Sequence, residues 1–232
     1  PPVVAGAYVG MVVVVLLSST FLTTRVQSTR EHLRRQKSEL ARALEQIREL
    51  ATHDDLTGLL NRRAMFERMQ LEQRRSLRTG HPLLVAQLDI DHFKVINDTH
   101  GHGKGDLVLR AFADTVRHSV RDTDVLARWG GEEFLVLLND TSPELANVGL
   151  ERARMLLAEA TLVASLPELK PTFSAGLTAY NMTEALDVCI ERADRALYKA
   201  KDSGRNCTVI RMGLTPADAT YRSPTEPSTL QE

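Results

Sequence analysis

At 232 residues and a formal net charge of −1, the chain is long enough for one good-sized domain plus appendages, and its charge gives no support for nonspecific nucleic-acid binding. Two cysteines, Cys189 and Cys207, follow no metal or redox spacing and are too few for a disulfide framework, which fits a reduced cytosolic setting. The seven histidines are scattered, with no HExxH-type spacing.

Residues 1–24 carry no charge and are strongly apolar from Val3 to Leu17, a length that predicts a transmembrane helix. The chain opens on Pro1-Pro2 without a Met and reads as a fragment of a longer protein. No basic stretch precedes the apolar run, which argues against a cleaved signal peptide; a buried soluble helix is the alternative reading. Arg25, Arg30, Arg34, Arg35 and Lys37 follow it, and positive residues flank the cytoplasmic end of membrane helices. The expected location is therefore the inner (cytoplasmic) membrane, anchored through residues 1–24, with everything downstream in the cytoplasm.

Residues 25–52 are rich in Arg, Glu, Leu and Ala and lack Pro and Gly. Val26, Leu33, Leu40 and Ile47 recur every seven residues, with Ala43 and Leu50 three later in the last two heptads, which predicts a short, imperfect coiled coil. A lone amphipathic helix is the alternative. As a coiled coil it is a dimerising stalk, and no Pro or Gly interrupts it.

Asp54–Arg63 breaks the heptads. Gly58 marks a turn, and Asn61 caps a helix that runs through Arg78 and ends at Gly80-His81-Pro82. Leu83–Ile90 reads as an apolar strand ending in Asp89-Ile90-Asp91, with both acids on one strand face by their period of two. The segment to Asp106, with Gly101, Gly103 and Gly105 at alternate positions, reads as a flexible polar loop before a helix over Leu107–Val120. It is not a Walker A loop, since Lys104 is followed by Gly. Its Asn, His and Asp side chains suit the edge of a base, and guanine is a fit.

Asp124–Trp129 and Phe134–Leu138 read as two strands joined through Gly130 and Gly131, a tight hairpin with positive φ. Glu132 and Glu133 follow directly. Two carboxylates at a hairpin mouth, near the acids ending the previous strand, suit a hard divalent cation or a proton acceptor. A helix is expected from Ser142-Pro143 to about Ala164, a strand over Thr172–Ala179, a helix over Glu184–Asp202 capped by Gly204, and a short strand over Cys207–Met212. The tail, 213–232, is rich in Pro, Thr, Ser and Glu and is expected to be disordered. After the stalk the order reads α-β-α-α-β-β-α-β-α-β. That predicts an α+β fold: a ferredoxin-like palm with a central mixed, largely antiparallel sheet flanked by helices.

Residues 53–212 resemble the GGDEF-domain diguanylate cyclases. The signature stands here as Gly130-Gly131-Glu132-Glu133-Phe134. The runs Asp54–Arg63, Asp89–Asp98, Gly101–Asp106 and Ala193–Asn206 match the family's other blocks, in order. The resemblance implies condensation of two GTP into cyclic di-GMP and two pyrophosphates. It implies Mg²⁺ or Mn²⁺ on Asp89, the Ile90 carbonyl and Glu132, and guanine read by Asn97 and Asp106 with His102 at the nucleotide. It places Lys94, Lys201 and Arg205 at the triphosphate, and Glu132, with Glu133 able to share the duty, as proton acceptor. One domain has one GTP site, so the reaction needs a homodimer. Arg121 and Asp124 match the family's RxxD product-inhibition site, which implies cyclic di-GMP as inhibitor; a surface Arg–Asp pair is the alternative reading there. The rival functions are a catalytically silent module that binds GTP or cyclic di-GMP, and a different nucleotidyl cyclase on a related palm.

Overall fold

The computed structural model describes residues 51–160, 163 and 166–213, and ahead of them residues 11, 20, 25, 27, 30, 34–40 and 49. The chain divides into two units, Pro1–Ala51 and Thr52–Glu232. In the first unit the described residues are helical, and Leu40 is exposed. The bulk of the predicted membrane helix over 1–24, the heptad positions Val26, Leu33 and Ile47, and the predicted disordered tail beyond residue 213 all lie outside the described residues. Among the described residues no helix is long and apolar enough to cross a membrane.

The second unit begins with a two-residue strand β1 (Leu60–Asn61) and helix α1 (Arg62–Thr79). The Asn61 side chain accepts from the Ala64 backbone N–H, and Gly80 closes the helix in the left-handed region at φ 72°. Strand β2 (Leu83–Ile90) follows, then helices α2 (Phe93–His100) and α3 (His102–Ser119). A hairpin comes next, β3 (Val125–Gly130) and β4 (Glu133–Asn139), then helix α4 (Pro143–Glu159), strand β5 (Phe173–Ala179), helix α5 (Leu186–Asp202) and strand β6 (Thr208–Ile210). The order agrees with the sequence reading, with β1 added in front.

The six strands lie in the order β1-β3-β4-β2-β5-β6. β2 pairs antiparallel with β4 and β5, β3 pairs antiparallel with β4, and only the outer pairs β1/β3 and β5/β6 are parallel. The inner four strands, β3-β4-β2-β5, are linked by split crossovers through α2/α3 and α4, the ferredoxin-like arrangement.

β2 is buried along all eight residues because helices cover both faces of the sheet. Leu84, Ala86, Leu88 and Ile90 pack with α2, α3 and α4. Leu83 and Val85 face α1 and α5 with Met65, Met69 and Cys189. On the first face Phe112 packs against Phe134 at 4.7 Å and Phe173 at 5.4 Å between ring centroids. Full burial of each such ring contributes about 1.5–3 kcal/mol.

Two readings are corrected. The glycine-rich stretch is not a flexible loop: α2 and α3 run through it, broken only at Gly101. Gly105 is there for proximity, since a Cβ on it would stand 1.9 Å from Asn97 Oδ1. Secondly, α4 ends at Glu159 and not near Ala164: Ala160 turns extended, and buried Val163 drops into the core after it. Smaller shifts place Gly130 inside β3, leaving Gly131 alone at positive φ in the hairpin turn.

Gly176 fixes how closely α5 approaches β5. A Cβ there would lie 2.1 Å from the Ala193 carbonyl oxygen and 2.2 Å from the Leu197 nitrogen, both backbone atoms that cannot swing aside. Gly176→Ala is expected to lower stability by about 3 kcal/mol in urea denaturation. Gly149→Ala, whose nearest such neighbour is 3.5 Å away within helix α4, should leave stability unchanged or raise it slightly.

Candidate active site

The register between β2 and β4 sets Asp89 opposite Glu133. At the next step the Ile90 N–H donates to the Glu132 carbonyl oxygen at 3.3 Å. The Gly-Gly turn therefore delivers both glutamates to the end of β2 where Asp89 sits, close enough for their charges to act on one another. Their electrostatics record it. Burial pushes the Asp89 carboxyl above its usual range, and the charges of Glu132 and Asp91 add to that against the Lys201 ammonium. Burial, then the Asp89 charge, pushes Glu133 up as well. The Lys201 Nζ, from the last turn of α5, lies 2.8 Å from Asp89 Oδ2.

The second acid of the Asp-Ile-Asp run does different work. Asp91 has left the strand and is buried. It accepts from Thr172 Oγ1 and Ser174 Oγ, each at 2.7 Å, and from the Asn206 backbone N–H at 3.0 Å. These bonds tie the end of β2 to the start of β5 and to the loop after α5. His92 at φ 56° turns the chain sharply out of that knot into α2. Arg205 and Asn206, at φ 63° and 48°, hold the facing loop in the left-handed region that side chains rarely adopt.

The remaining predicted residues fall in four places. Lys94 is exposed on the first turn of α2. Asn97, one turn on, leans against Gly105, and its Oδ1 is buried with no hydrogen-bond partner. His102 opens α3 and Asp106 lies just past its first turn, both exposed. Arg205 is exposed beside the Asp91 knot. Arg121 and Asp124 lie at the start of β3, six residues of strand from the hairpin turn, which is about 20 Å. There Asp124 is fixed by the Arg121 N–H at 3.0 Å and the Asn139 N–H at 3.3 Å, while exposed Arg121 borders a hollow of about 270 Å³. The structure thus separates the RxxD pair from the carboxylate cluster.

Sequence reasoning missed Arg128. Its Nε donates to the Gly131 carbonyl oxygen at 2.9 Å, and its Nη1 reaches both carboxylate oxygens of Asp54 at 3.2 and 3.1 Å. Burial alone would raise the Asp54 pKa, but the bonds from Thr57 and Arg128 outweigh it and hold the carboxyl below its usual range. The hairpin tip is thereby latched to the turn that opens the domain. An arginine two residues before paired glycines was a visible signal, but its partner 74 residues earlier was not.

The donor set fits a hard divalent cation: it is oxygen only, and burial, with neighbouring carboxylate charge adding, raises Asp89 and the adjacent Glu133. Among the described residues no group of three or more acidic, His or Cys side chains is already drawn into a metal cage. Lys201 holds Asp89 instead.

A model of the family "Diguanylate cyclase, GGDEF domain" matches residues 51–207. Diguanylate cyclase DgcP of Pseudomonas aeruginosa is 48% identical over 163 residues, which are 70% of this chain and 24% of that protein. Response regulator PleD of Caulobacter vibrioides is 39% identical over 191 residues, 81% of this chain and 42% of that protein. The chain thus spans less than half the length of these curated relatives. Among solved structures, the coiled coil and GGDEF domain of DgcB from Caulobacter crescentus in complex with c-di-GMP superposes with a TM-score of 0.71. It is 30% identical and covers 82% of this chain and 99% of that one. The active GGEEF domain of a diguanylate cyclase from Vibrio cholerae gives 0.61 at 35% identity, over 66% and 97%.

The raised carboxyls make a prediction with a defined sign. An acid whose folded pKa lies above its unfolded value favours folding when protonated. That contribution is lost as pH rises from the ordinary values of 3.8 for Asp and 4.5 for Glu through the raised ones. At neutral pH without divalent ions, Glu133→Gln should therefore melt at a higher temperature than the parent chain. Excess Mg²⁺ should shrink that gap, and differential scanning calorimetry with and without chelator reads both.

Proposed function

Because the chain belongs to the GGDEF family of diguanylate cyclases, we propose that it condenses two molecules of GTP into cyclic di-GMP, releasing two pyrophosphates, at a site shared between two copies of the chain. The observation that carries this reading is the convergence of Asp89, Glu132 and Glu133 where β2 meets the Gly-Gly hairpin turn. The names of the relatives support the reaction class.

Asp89, the Ile90 carbonyl and Glu132 would hold Mg²⁺ or Mn²⁺. When bound, such an ion neutralises phosphate charge and lowers the pKa of a hydroxyl beside it. Everything else falls to the chain's own groups. Lys94, Lys201 and Arg205 come to one end of the sheet from three separate elements and bind the triphosphate. Asn97, with its unpartnered Oδ1, and Asp106 read the guanine edge, with His102 alongside. The 3′-oxygen of one GTP attacks the α-phosphorus of the other. Its proton passes to Glu132, with Glu133 beside it, and the bond from the α-phosphorus to the bridging oxygen breaks as pyrophosphate leaves. A second such step closes the ring.

Hydroxyl and phosphorus belong to different nucleotides, and the described residues of one chain carry one such cluster. Two domains must face each other. The heptads Val26, Leu33, Leu40 and Ile47 supply that pairing by raising the effective concentration of one domain near the other. The apolar run over 1–24 anchors the assembly at the inner membrane, with the domain in the cytoplasm. Cyclic di-GMP returns to Arg121 and Asp124: the guanidinium pairs with phosphate and stacks on guanine, and the carboxylate accepts from the base edge.

Incubation with GTP and Mg²⁺, followed by mass analysis, should yield cyclic di-GMP, with none of the corresponding product from ATP. Glu132→Gln should cut turnover about 100-fold or more. GTP binding without any product would overturn the reading in favour of a silent receptor. Replacing Leu33, Leu40 and Ile47 together by Asp should abolish turnover while sparing GTP binding, read by calorimetry. Arg121→Ala should leave initial turnover intact and remove inhibition by added cyclic di-GMP.

A further inference from the structure

The sheet face away from α2 and α3 carries a cleft of about 720 Å³ between α1 and α5 that none of the assigned roles explains. Its floor is Gln87, on β2 two residues before Asp89 and only 4% exposed. The Gln87 amide nitrogen donates to Asp194 Oδ1 at 3.3 Å, but its Oε1 is buried with no hydrogen-bond partner. A buried carbonyl left unpaired costs about 1–3 kcal/mol, so the floor is built to receive a donor. Phe66, Trp129 and Ile190 make apolar walls.

The polar groups at the rim say which donor. Glu133 and Asp187 line the cleft with no hydrogen bond or ion pair among the described residues, while Glu191 is held by Arg195 at 2.5 Å. Of the cations, Arg63 is tied to Glu67 at 3.4 Å. Arg62 has no ion pair among the described residues and lies over the Trp129 ring, 4.8 Å from its centroid. Free acceptors outnumber free donors, and the aromatic wall already carries a guanidinium. An anionic nucleotide would meet unneutralised carboxylates here; a planar cation meets carboxylates, a carbonyl and a π-face.

We propose that this cleft is a second ligand site, selective for a guanidinium-bearing group: planar, cationic, taking the place of the Arg62 guanidinium on Trp129, with its N–H donors on Gln87 Oε1 and the neighbouring carboxylates. Because Glu133 belongs both to the cleft and to the Asp89–Glu132 cluster, occupancy is felt at the cluster. The binding itself does not depend on the cyclase reading.

Trp129 is the only tryptophan among the 232 residues, so fluorescence reports the cleft without competing signal. The full chain is titrated with agmatine, with its neutral planar counterpart butylurea, and with a blocked Gly-Arg-Gly peptide, following fluorescence and heat. Agmatine or the peptide should change the signal saturably and butylurea should not. Tighter binding of agmatine assigns the cleft to a free small molecule, and tighter binding of the peptide to an arginine side chain of a partner. Gln87→Met should weaken binding about tenfold while keeping or raising the melting temperature, since it removes an unpaired acceptor at similar volume. Asp194→Asn should weaken it too. The proposal is overturned by no saturable response to either cation, by an equal response to butylurea, by response to GMP alone, or by unchanged affinity in both variants.

Discussion

Like charges forced together at the end of a buried strand are the constraint on which the rest of this structure depends. Asp89 and Glu133 face each other because of strand register, and Glu132 follows because the hairpin turn is tight. Left in water, three carboxylates would drift apart. Here the backbone pairing of β2 with β4 and β5 forbids it, and burial first, with the neighbouring carboxylate charges adding, drives both Asp89 and Glu133 toward their protonated forms. The fold stores an unmet demand for positive charge, which Lys201 answers in part.

The neighbouring elements serve that arrangement. Helices on both faces bury β2 completely, so its end cannot fray. Asp91 gathers Thr172, Ser174 and the Asn206 backbone into one knot, fixing the loop that carries Arg205 beside the carboxylates. Arg128 clamps the Gly-Gly turn from the other side and fastens it to Asp54. Gly105 lets α3 press against Asn97. Three of the residues in this region, His92, Arg205 and Asn206, sit at positive φ without being glycine, a local cost of the kind that persists where surrounding contacts over-determine the backbone.

Much of this was legible in the sequence because it is local. The strand ending in acids, the paired glycines and the Asn61 cap each announce themselves within a few residues, and the order of elements follows from them. What stayed hidden is long-range. Asp89 and Asp91 look equivalent on paper, yet one keeps a half-buried partner in Lys201 and the other is consumed by structure, a difference set by Thr172, Ser174 and Asn206 from distant parts of the chain. Alternating glycines signalled flexibility, but Gly105 is needed for close packing inside a helix. The end of α4 was misjudged because Ala and Leu continue past Glu159 with good helix propensity, while burial of Val163 decided the outcome. Gln87 drew no notice inside an apolar strand; only the cleft beneath α1 and α5 gives it meaning.

The proposed role of Asp89 and Glu132 is to hold one divalent ion together against a nucleotide's phosphates. Electron paramagnetic resonance of Mn²⁺, titrated into the chain with a non-hydrolysable GTP analogue, tests it most directly. Bound Mn²⁺ is expected in the parent chain and is lost in Asp89→Asn and in Glu132→Gln while both variants remain folded. Undiminished Mn²⁺ binding in either variant would contradict it.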